Sequence, residues 1–463
     1  MSTESGKKTR REFLVRGSQV AAGAFIASRL VGCAADRAVK FAPTPRRVIG
    51  ANDRINIAAI GIRSRGQQLA QGFAKQENVF IKTLVDIDEN LFPERVQKIA
   101  DIQGVAPGTE TDLRRVLEDK DIDAVTIATP DHWHALATIW ACQAGKHVYV
   151  EKPVSHNIWE GRKMVEAARK YDVLVSAGFH NRSIRNVRRA MRFLHEGGIG
   201  EVYMAKGLCF KPRDGIGCVE DSEAPEGVDY DLWLGCAPQR PFNQNRFHYN
   251  WHWFWDYGCG DIGNQGPHQF DIARWGMNKH EHPVKIQSAG GYYQWDCDQE
   301  TPNTQIATYE YADGKLLQFE VRGLYTNAED EILIGNLFFG TKGWMHLGVK
   351  TQWRTYFGRE DEPGPSNETA EAGTDPMDLA GGAGGNHFEN FIVALRAGSR
   401  EKLTCEIEEG HVSTALPHLG NIAYRCGRTL TFDGKKERFV GDRDANALLT
   451  RDYRKPFVVP KRV

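Results

Sequence analysis

A strand–helix–strand pattern at residues 122–153 constrains the fold of this chain more than any other stretch. Residues 122–128 are a short run of branched and apolar residues, which is typical of a strand buried on both faces in a parallel sheet. A helix pattern follows at 133–144, and a second apolar strand at 147–150 runs directly into Glu-Lys-Pro at 151–153. Polar residues therefore stand at the carboxyl ends of both predicted strands. In an open α/β sheet, this edge is where ligands bind.

The sequence GIRSRG at 61–66 has the position of a dinucleotide-binding turn, because it stands between a predicted strand and a predicted helix. The match is partial, since Arg63 occupies the place of the second glycine, where backbone normally approaches a pyrophosphate. Arg63 or Arg65 could contact phosphate directly instead. Asp86 ends the next predicted strand, where a carboxylate accepts hydrogen bonds from the ribose of NAD and repels the 2′-phosphate of NADP. Asp88 is a second candidate for this role. The pattern predicts NAD as the cofactor, with NADP less favoured.

Two motifs taken together resemble a known family. The loop TPDHWH at 129–134, followed one helix later by EKP at 151–153, is similar to segments of the Gfo/Idh/MocA family of NAD(P)-dependent sugar and cyclitol oxidoreductases. The resemblance implies an α/β Rossmann dinucleotide-binding domain followed by an α+β domain with a large, mostly antiparallel open sheet. It also implies that Lys152 lies at the nicotinamide and the substrate.

The stretch GCGDIGNQGPHQFD at 258–271 resembles a motif of the same family that begins a helix and carries an acid/base histidine, here His268. Asn264 stands where the family often has aspartate. An amide can orient an imidazole but cannot raise its base strength as a carboxylate does. Asp261 or Asp256 is therefore a candidate to supply the missing charge.

Removal of a hydride from a carbinol requires a base for the hydroxyl proton. Lys152 and His268 are the predicted catalytic residues, with His268 as the proton acceptor. The cofactor contacts predicted from the motifs and the resemblance are Gly61, Ile62, Arg63, Gly66, Asp86, Thr129, Pro130, Asp131, His134, Glu151, Lys152, His180 and Arg182. The predicted substrate contacts are His180, Tyr249, Trp253, Asp256, Asp261, Asn264 and His268.

The aromatic stretch near residue 250 has two interpretations. Aromatic walls suit sugar rings, and His248 and His252 are further candidate sugar contacts. The alternation of Trp251, Trp253 and Trp255 fits one face of a strand packed into the core equally well.

Metal sites are not predicted. Asp131, His132 and His134 could form one, but their place in the family loop favours a role beside the nicotinamide. None of the nine cysteines forms a C-x-x-C pair, so neither a zinc ribbon nor a redox dithiol is expected, although one or two disulfides could form outside the cytoplasm. The net charge of −1 gives no electrostatic basis for binding nucleic acid or an anionic membrane.

The N-terminus resembles a twin-arginine export signal. Arg10 and Arg11 precede a mild apolar run at 20–27, which is far shorter than the ~20 residues needed to span a bilayer. The sequence LVGC at 30–33 also resembles a lipobox, which would make Cys33 a lipid-anchored first residue of the mature protein. We therefore expect export to the periplasm by the twin-arginine translocase.

Alternating apolar patterns at 306–311 and 316–321 predict strands in the second half of the chain. Helix patterns at 386–397 and 407–424 would, by the resemblance, return to the first domain, so a third domain is not required. The open sheet that the resemblance implies makes a homo-oligomer, a dimer or tetramer, expected. The predicted organisation is a signal peptide at 1–33, a linker or arm at 34–52, an NAD-binding domain at 53–179 and a substrate and oligomerisation domain at 180–463.

Export restricts the chemistry, because free NAD is not expected to be maintained outside the cytoplasm. The sequence predicts an exported carbohydrate oxidoreductase that keeps NAD tightly bound and transfers hydride to or from a hydroxyl-bearing carbon of a sugar or glycoside. Enzymatic alternatives are a cycle between two sugars as in glucose–fructose oxidoreductase, an NAD-dependent glycosidase that oxidises C3 transiently and eliminates the aglycone, and a simple sugar or cyclitol dehydrogenase. A sugar-binding protein that retains NAD is the alternative from another class.

Overall fold

The computed structural model describes residues 41, 49–50, 52–294, 296–348, 351–370 and 386–463. The predicted signal peptide, Cys33 and most of the predicted arm at 34–52 lie outside the described residues. Within the described ranges, no helix is both long enough and apolar enough to cross a membrane.

The first sheet has six parallel strands in the order β3-β2-β1-β4-β5-β6. The strand order reverses between β1 and β4, which creates the crevice where ligands bind in doubly wound folds. The central strands consist of apolar residues that are buried on both faces, as the sequence predicted for residues 122–128. The strands are β1 Ile55–Ile60, β2 Val79–Val85, β3 Gly108–Glu110, β4 Ala124–Ile127, β5 His147–Val150 and β6 Val175–Ala177.

Five helices connect these strands. The predicted βαβ unit is confirmed, although its helix begins at Asp131, two residues before the predicted start, where an acidic side chain is favoured by the helix dipole. This helix is buried around nearly its whole circumference, and Trp133 and Trp140 contact Phe457 from the C-terminal segment. The helices are α1 Arg65–Ala74, α2 Phe92–Gln103, α3 Leu113–Glu118, α4 Asp131–Gln143 and α5 Ile158–Lys170.

The second sheet has ten strands in the order β14-β13-β12-β11-β7-β10-β9-β8-β15-β16. Every neighbouring pair is antiparallel except β7 with β10, so the predicted α+β fold with a mostly antiparallel sheet is confirmed. The strands are β7 Val202–Cys209, β8 Lys285–Gly291, β9 Thr304–Glu310, β10 Leu316–Arg322, β11 Ile334–Gly340, β12 Gly343–Gly348, β13 Trp353–Phe357, β14 Glu362–Ser366, β15 Leu430–Asp433 and β16 Arg438–Phe439.

Helices cover one face of this sheet and also contact the first sheet. Phe388 and Phe391 pack edge-on against Phe73 of α1, and the backbone N–H of Ala177 in β6 donates to Cys405 O at 2.9 Å. These contacts join the C-terminal helices to both sheets. The helices are α6 Arg185–His195, α7 Tyr230–Leu234, α8 Gly260–Asn264, α9 Gly266–Gly276, α10 His387–Ala397, α11 Ile407–Cys426 and α12 Arg443–Ala447.

The structure decides between the two interpretations of the tryptophan alternation. His248–Trp253 is a 3₁₀-helix, so the prediction of a strand face is wrong. Of the three alternating tryptophans, only Trp253 is buried, because the tighter turn directs Trp251 and Trp255 to partly exposed positions.

Candidate active site

A cavity of about 420 Å³ lies along the carboxyl ends of the first sheet. One wall, the sheet-edge wall, is formed by residues that follow β1, β2, β3, β4 and β5. The facing wall comes from residues that follow β6 in the chain. The residues of the facing wall are His180, Leu232, Trp233, Phe247, His248, Tyr249, Trp251, His252, Asn264 and His268.

The turn after β1 depends on two of its glycines. Gly61 has a φ of +76°, and a Cβ there would lie 2.8 Å from the backbone of Ala128. A Cβ on Gly66 would lie 1.5 Å from Gly61 O, so only glycine allows α1 to start this close to the strand. Arg63, which replaces the middle glycine, lines the cavity. The turn can therefore hold a pyrophosphate with a guanidinium in place of one close backbone approach.

Asp86 lies at the end of β2 and lines the cavity beside this turn. Its carboxylate accepts hydrogen bonds from Ile62 N at 2.8 Å and from Asp88 N at 3.1 Å. Burial raises the pKa of Asp86 to about 6 against the lowering effect of these bonds. Asp88 accepts from Asn90 N at 3.1 Å and lies 3.8 Å from His248 Nε2. The two carboxylates close one end of the cavity, and Asp86 keeps lone pairs for a ribose.

Lys152, His180 and His268 meet at the opposite end of the cavity. Lys152 Nζ donates to the backbone oxygen of Asn264 at 2.8 Å, which links the two walls directly. The imidazole rings of His180 and His268 meet edge-on with centroids 4.8 Å apart, and in the described structure Nδ1 of each is buried without a hydrogen-bond partner. The structure thus brings together the two predicted catalytic residues.

Burial favours the neutral form of the imidazoles of His180 and His268. Burial, followed by the charges of Lys152 and His180, lowers the pKa of His268 well below its usual value. Burial also lowers the pKa of Lys152, although the carboxylates of Glu151 and Asp131 oppose this effect. A neutral His268 can accept a proton, and Lys152 in its protonated form can stabilise the oxyanion that remains.

Within the sheet-edge wall, an ion pair connects the turn after β1 to the residues that follow β5. Arg65 Nε, at the start of α1, contacts Glu151 Oε1 at 2.7 Å. Burial would raise the pKa of Glu151, but the charges of Arg65 and Lys152 lower it instead, so the carboxylate stays ionised. This pair was not predicted, because its partners are separated by 86 positions in the sequence.

The loop at 129–134 serves to position the walls. His134 contacts two backbone oxygens, Pro153 O at 2.7 Å and Thr129 O at 2.9 Å, and His132 Nε2 contacts Trp233 O at 2.9 Å. Asp131 is only 2% exposed and lines the cavity, and its Oδ2 has no hydrogen-bond partner among the described residues. Burial raises the pKa of Asp131 well above its usual value.

The imidazoles of His132 and His134 are therefore held by hydrogen bonds to backbone oxygens rather than arranged as metal ligands. Within the described residues, one histidine and carboxylate cluster is compact enough to share a metal, and it lies elsewhere, at His282, His411 and Glu437. There Glu437 is bound by Arg162 at 2.7 Å, so a cation already neutralises its carboxylate.

Three of the predicted substrate contacts lie behind the facing wall. Asp261 pairs with Arg213 at 2.6 Å, and the same guanidinium stacks over Trp253 at 4.8 Å from the ring centroid. Asp256 pairs with Arg240 at 2.9 Å. The substrate assignments of Trp253, Asp256 and Asp261 are corrected, because none of the three lines the cavity and ion pairs or aromatic packing occupy their side chains. Neither carboxylate contacts His268, so the expected replacement for the family aspartate is also not found there.

Arg182 is a further correction. Its guanidinium binds the carboxylate of Asp271 through two nitrogens at 2.8 to 3.0 Å and Glu409 at 3.2 Å. It is 7% exposed and does not line the cavity. Its Nε and Nη2 atoms are bound to these two carboxylates, so Arg182 supports α9 rather than the site.

The remaining predicted contacts have these positions. Ile62 acts through its backbone N–H, which donates to Asp86, and Gly66 acts through the packing of the turn. Tyr249 and Asn264 line the facing wall, with 3.4 Å between Asn264 Nδ2 and the tyrosine hydroxyl. Leu232, Trp233 and the stretch 111–113 also line the cavity and were not predicted. Nothing in their local sequence marks them, since long-range packing brings them there.

Comparison with protein families agrees with this geometry. Residues 55–179 match the model of an oxidoreductase family with an NAD-binding Rossmann fold, Gfo/Idh/MocA, and residues 208–342 and 384–459 match the C-terminal alpha/beta domain of the same family. Together these matches cover more than half of the chain. The chain belongs to the Gfo/Idh/MocA oxidoreductase family.

Several relatives are similar over part of this family member. A levoglucosan dehydrogenase from Pseudarthrobacter phenanthrenivorans is 35% identical over 97 residues, which are 21% of this chain and 25% of the relative. A myo-inositol 2-dehydrogenase from Thermotoga maritima is 27% identical over 33% of this chain and 44% of its own. A glycosyl hydrolase family 109 protein from a Shewanella species is 30% identical over 35% and 37%. The chain thus spans less than half of the length of each of these relatives.

Solved structures share the whole fold. A levoglucosan dehydrogenase in complex with NADH and levoglucosan superposes with a TM-score of 0.61 at 17% identity over 82% of this chain and 99% of the other. An aldose-aldose oxidoreductase from Caulobacter crescentus gives 0.60 at 17% identity over 82% and 100%. At this identity, the likeness establishes the fold alone.

Proposed function

We propose that this protein is an exported, NAD-dependent carbohydrate oxidoreductase that retains its cofactor and acts on a hydroxyl-bearing carbon of a sugar or glycoside. The observation that carries the proposal is the cavity itself. It joins a carboxylate-lined end at Asp86 to an end where an unpaired imidazole of His268 lies beside Lys152.

The residues fit NAD. Gly61 and Gly66 allow the tight turn between β1 and α1, Arg63 adds a cation at this turn, and Asp86 could accept hydrogen bonds from the ribose hydroxyls. His180 and Lys152 would lie at the nicotinamide end. NAD, when bound, supplies a two-electron acceptor for the carbon that is oxidised.

The chain itself handles the proton. His268 lines the cavity, and its lowered pKa leaves the imidazole neutral, so the ring can accept the hydroxyl proton of a bound sugar. Lys152, fixed by Asn264 O, presents its ammonium group to the oxygen on which negative charge develops. Tyr249, Trp251 and His252 offer aromatic and polar surface for the rest of a sugar ring.

Alanine variants of the two catalytic residues test the proposal. Lys152→Ala and His268→Ala should each lower turnover of sugars or glycosides by about 10²- to 10⁴-fold while bound NAD remains. Lys75→Ala, which removes an exposed lysine remote from the cavity, is the control and should retain activity. Undiminished turnover in both alanine variants would remove Lys152 and His268 from the mechanism.

A second candidate function is glycoside cleavage by transient oxidation at C3. It is favoured by the similarity to glycosyl hydrolase family 109 proteins. In this cycle, oxidation at C3 acidifies the C2 proton, a base removes that proton, the aglycone leaves with the electron pair, and reduction after addition of water restores the sugar and NAD. His268 could accept the hydroxyl proton at C3, and it could take the C2 proton only after it has passed the first proton to water. Release of an aglycone without added cofactor distinguishes this function from a simple dehydrogenase or a cycle between two sugars.

Location and assembly are part of the proposal. The paired arginines at Arg10 and Arg11 support export by the twin-arginine route, with Cys33 a candidate lipid anchor. A protein exported after folding can carry NAD loaded in the cytoplasm. Replacement of both arginines by lysine should keep the protein in the cytoplasmic fraction. The wide second sheet supports assembly into a homodimer or tetramer, which light scattering of the purified protein would measure.

A further inference from the structure

A long segment without helix or strand crosses the outside of the facing wall. We call residues 211–229 the strap. At one end, Arg213 binds Asp261 at 2.6 Å and the hydroxyl of Tyr249 at 3.1 Å. At the other end, Val228 forms a β-bridge with Asp88, beside the carboxylate end of the cavity. The strap therefore spans both ends of the candidate active site from outside.

The middle of the strap is bound to a second loop by Asp298. Asp298 N donates to Gly217 O at 3.0 Å, and Asp298 Oδ2 accepts from Val219 N at 2.9 Å. Cys218 lies between these two strap residues, and Cys297 immediately precedes Asp298. These two bonds hold the backbones of the two segments against each other on either side of Cys218. A disulfide requires Cα atoms about 4.4–6.8 Å apart.

Two further observations concern the thiols of these cysteines. The hydroxyl of Tyr292 lies 2.6 Å from Cys297 Sγ, which orients the thiol. The pKa of the Cys218 thiol is raised, by desolvation first and then by the charges of Asp298, Asp296 and the Cys297 thiol. Cys218 is exposed, so an oxidant can reach it in the folded protein.

We propose that Cys218 and Cys297 form a disulfide that fastens the strap across the facing wall. Both are free thiols in the structure. The oxidant is a low-molecular-weight or protein disulfide. The thiolate of Cys218 attacks it to give a mixed disulfide, and the thiolate of Cys297 then displaces the second thiol. The two cysteines lose two protons and two electrons, and the oxidant leaves as two thiols.

Fastening the strap has a consequence at the cavity, which rests on the proposed function. The strap holds Tyr249 through Arg213 and pairs with Asp88, so its closure restrains both ends of the facing wall. Dinucleotide release should be slower in the oxidised protein than in the reduced protein. The disulfide itself does not depend on this consequence.

Peptide mapping of the full chain tests the disulfide. The purified protein is treated with oxidised glutathione or with a reductant, alkylated under denaturing conditions and digested without reduction. We expect one linked peptide joining Cys218 to Cys297 after oxidation, with the link absent in Cys218→Ser and present in the control Cys426→Ser, which removes a partly buried thiol elsewhere. Alkylated Cys297 together with a glutathione adduct on Cys218, or a link to another cysteine, would overturn the proposal.

Dinucleotide release is then timed for the same samples after dilution into a trap enzyme that consumes NAD. Several-fold slower release in oxidised wild type, but not in oxidised Cys218→Ser, is the expected result. A linked peptide with an unchanged release rate would refute the restraint on the cavity. Protein without any bound dinucleotide would count against the proposed function, while the peptide map would still decide the disulfide.

Discussion

The two walls of the cavity are built in different ways. The sheet-edge wall consists of turns that follow directly from strands, and its functional groups stand within a few residues of a strand end, as with Gly61, Asp86 and Lys152. The facing wall is assembled from a 3₁₀-helix and short helices whose positions depend on partners far away in the sequence, such as Arg213 with Asp261 and Lys152 with Asn264. The difference indicates that the sheet-edge wall is encoded locally, whereas the facing wall depends on tertiary packing.

The largest expected effect is at the turn of the sheet-edge wall. In Gly66→Ala the new Cβ would lie 1.5 Å from Gly61 O, so the turn or α1 must shift. Displacement of about 1 Å in a binding turn is expected to weaken NAD binding by about 10²-fold or more. Gly108→Ala is the matched control, because its Cβ meets backbone only at 3.6 Å. Equal NAD affinity in both variants, measured by titration calorimetry, would show that this wall tolerates displacement.

Arg182 lies outside the cavity, so we expect it to contribute to folding stability and not to NAD binding. Removal of one partner from a buried ion pair costs about 3–5 kcal/mol, so Arg182→Ala should lose that much stability in urea denaturation. NAD affinity of the folded variant should not change, because the guanidinium is occupied by Asp271 and Glu409.

The double variant Arg182→Met/Asp271→Leu, which removes both charges, should recover much of the lost stability. A variant with full stability but weak NAD binding would return Arg182 to the list of cofactor contacts.

A smaller effect is expected from pH. Asp86 has a pKa of about 6 in the folded protein, above its ordinary value of 3.8, so it gains a proton as the pH falls through about 6. Between about pH 3.8 and 6 the folded protein holds more of this proton than the unfolded chain does. The contribution of Asp86 to the free energy of unfolding therefore decreases as the pH rises through this range. Ribose hydroxyls donate to the ionised form, so NAD affinity should fall by up to tenfold for each pH unit below the pKa. Asp86→Asn should abolish this dependence. A wild-type NAD affinity that does not change between about pH 5 and 8, the range in which histidine also titrates, would contradict the role of Asp86.

The sequence was sufficient for the sheet-edge wall because the determinants are local. Helix Ile158–Lys170 begins where its own neighbours dictate, since Asn157 caps its first turn by accepting from Glu160 N at 2.9 Å. The βαβ unit was likewise marked by its two apolar strands. Both cases require only neighbouring residues.

Prediction failed where the position of a side chain depends on residues that are distant in the sequence. Arg182 stands two residues after His180, but its partner Asp271 is 89 positions away and draws it out of the cavity. The tryptophan alternation near residue 250 has the period of a strand, yet packing of Trp253 under Arg213 accompanies a 3₁₀-helix. Leu232 and Trp233 reach the cavity through packing against His132 and Trp133, which no local pattern indicates.

The identity of whatever remains bound after purification tests the central claim most directly. The purified protein is denatured, and the released small molecule is identified by its absorbance and mass. Our account predicts about one NAD or NADH for each chain, together with turnover of a sugar or glycoside without added cofactor. An empty protein that binds NAD only weakly would contradict a retained cofactor and favour an ordinary dehydrogenase.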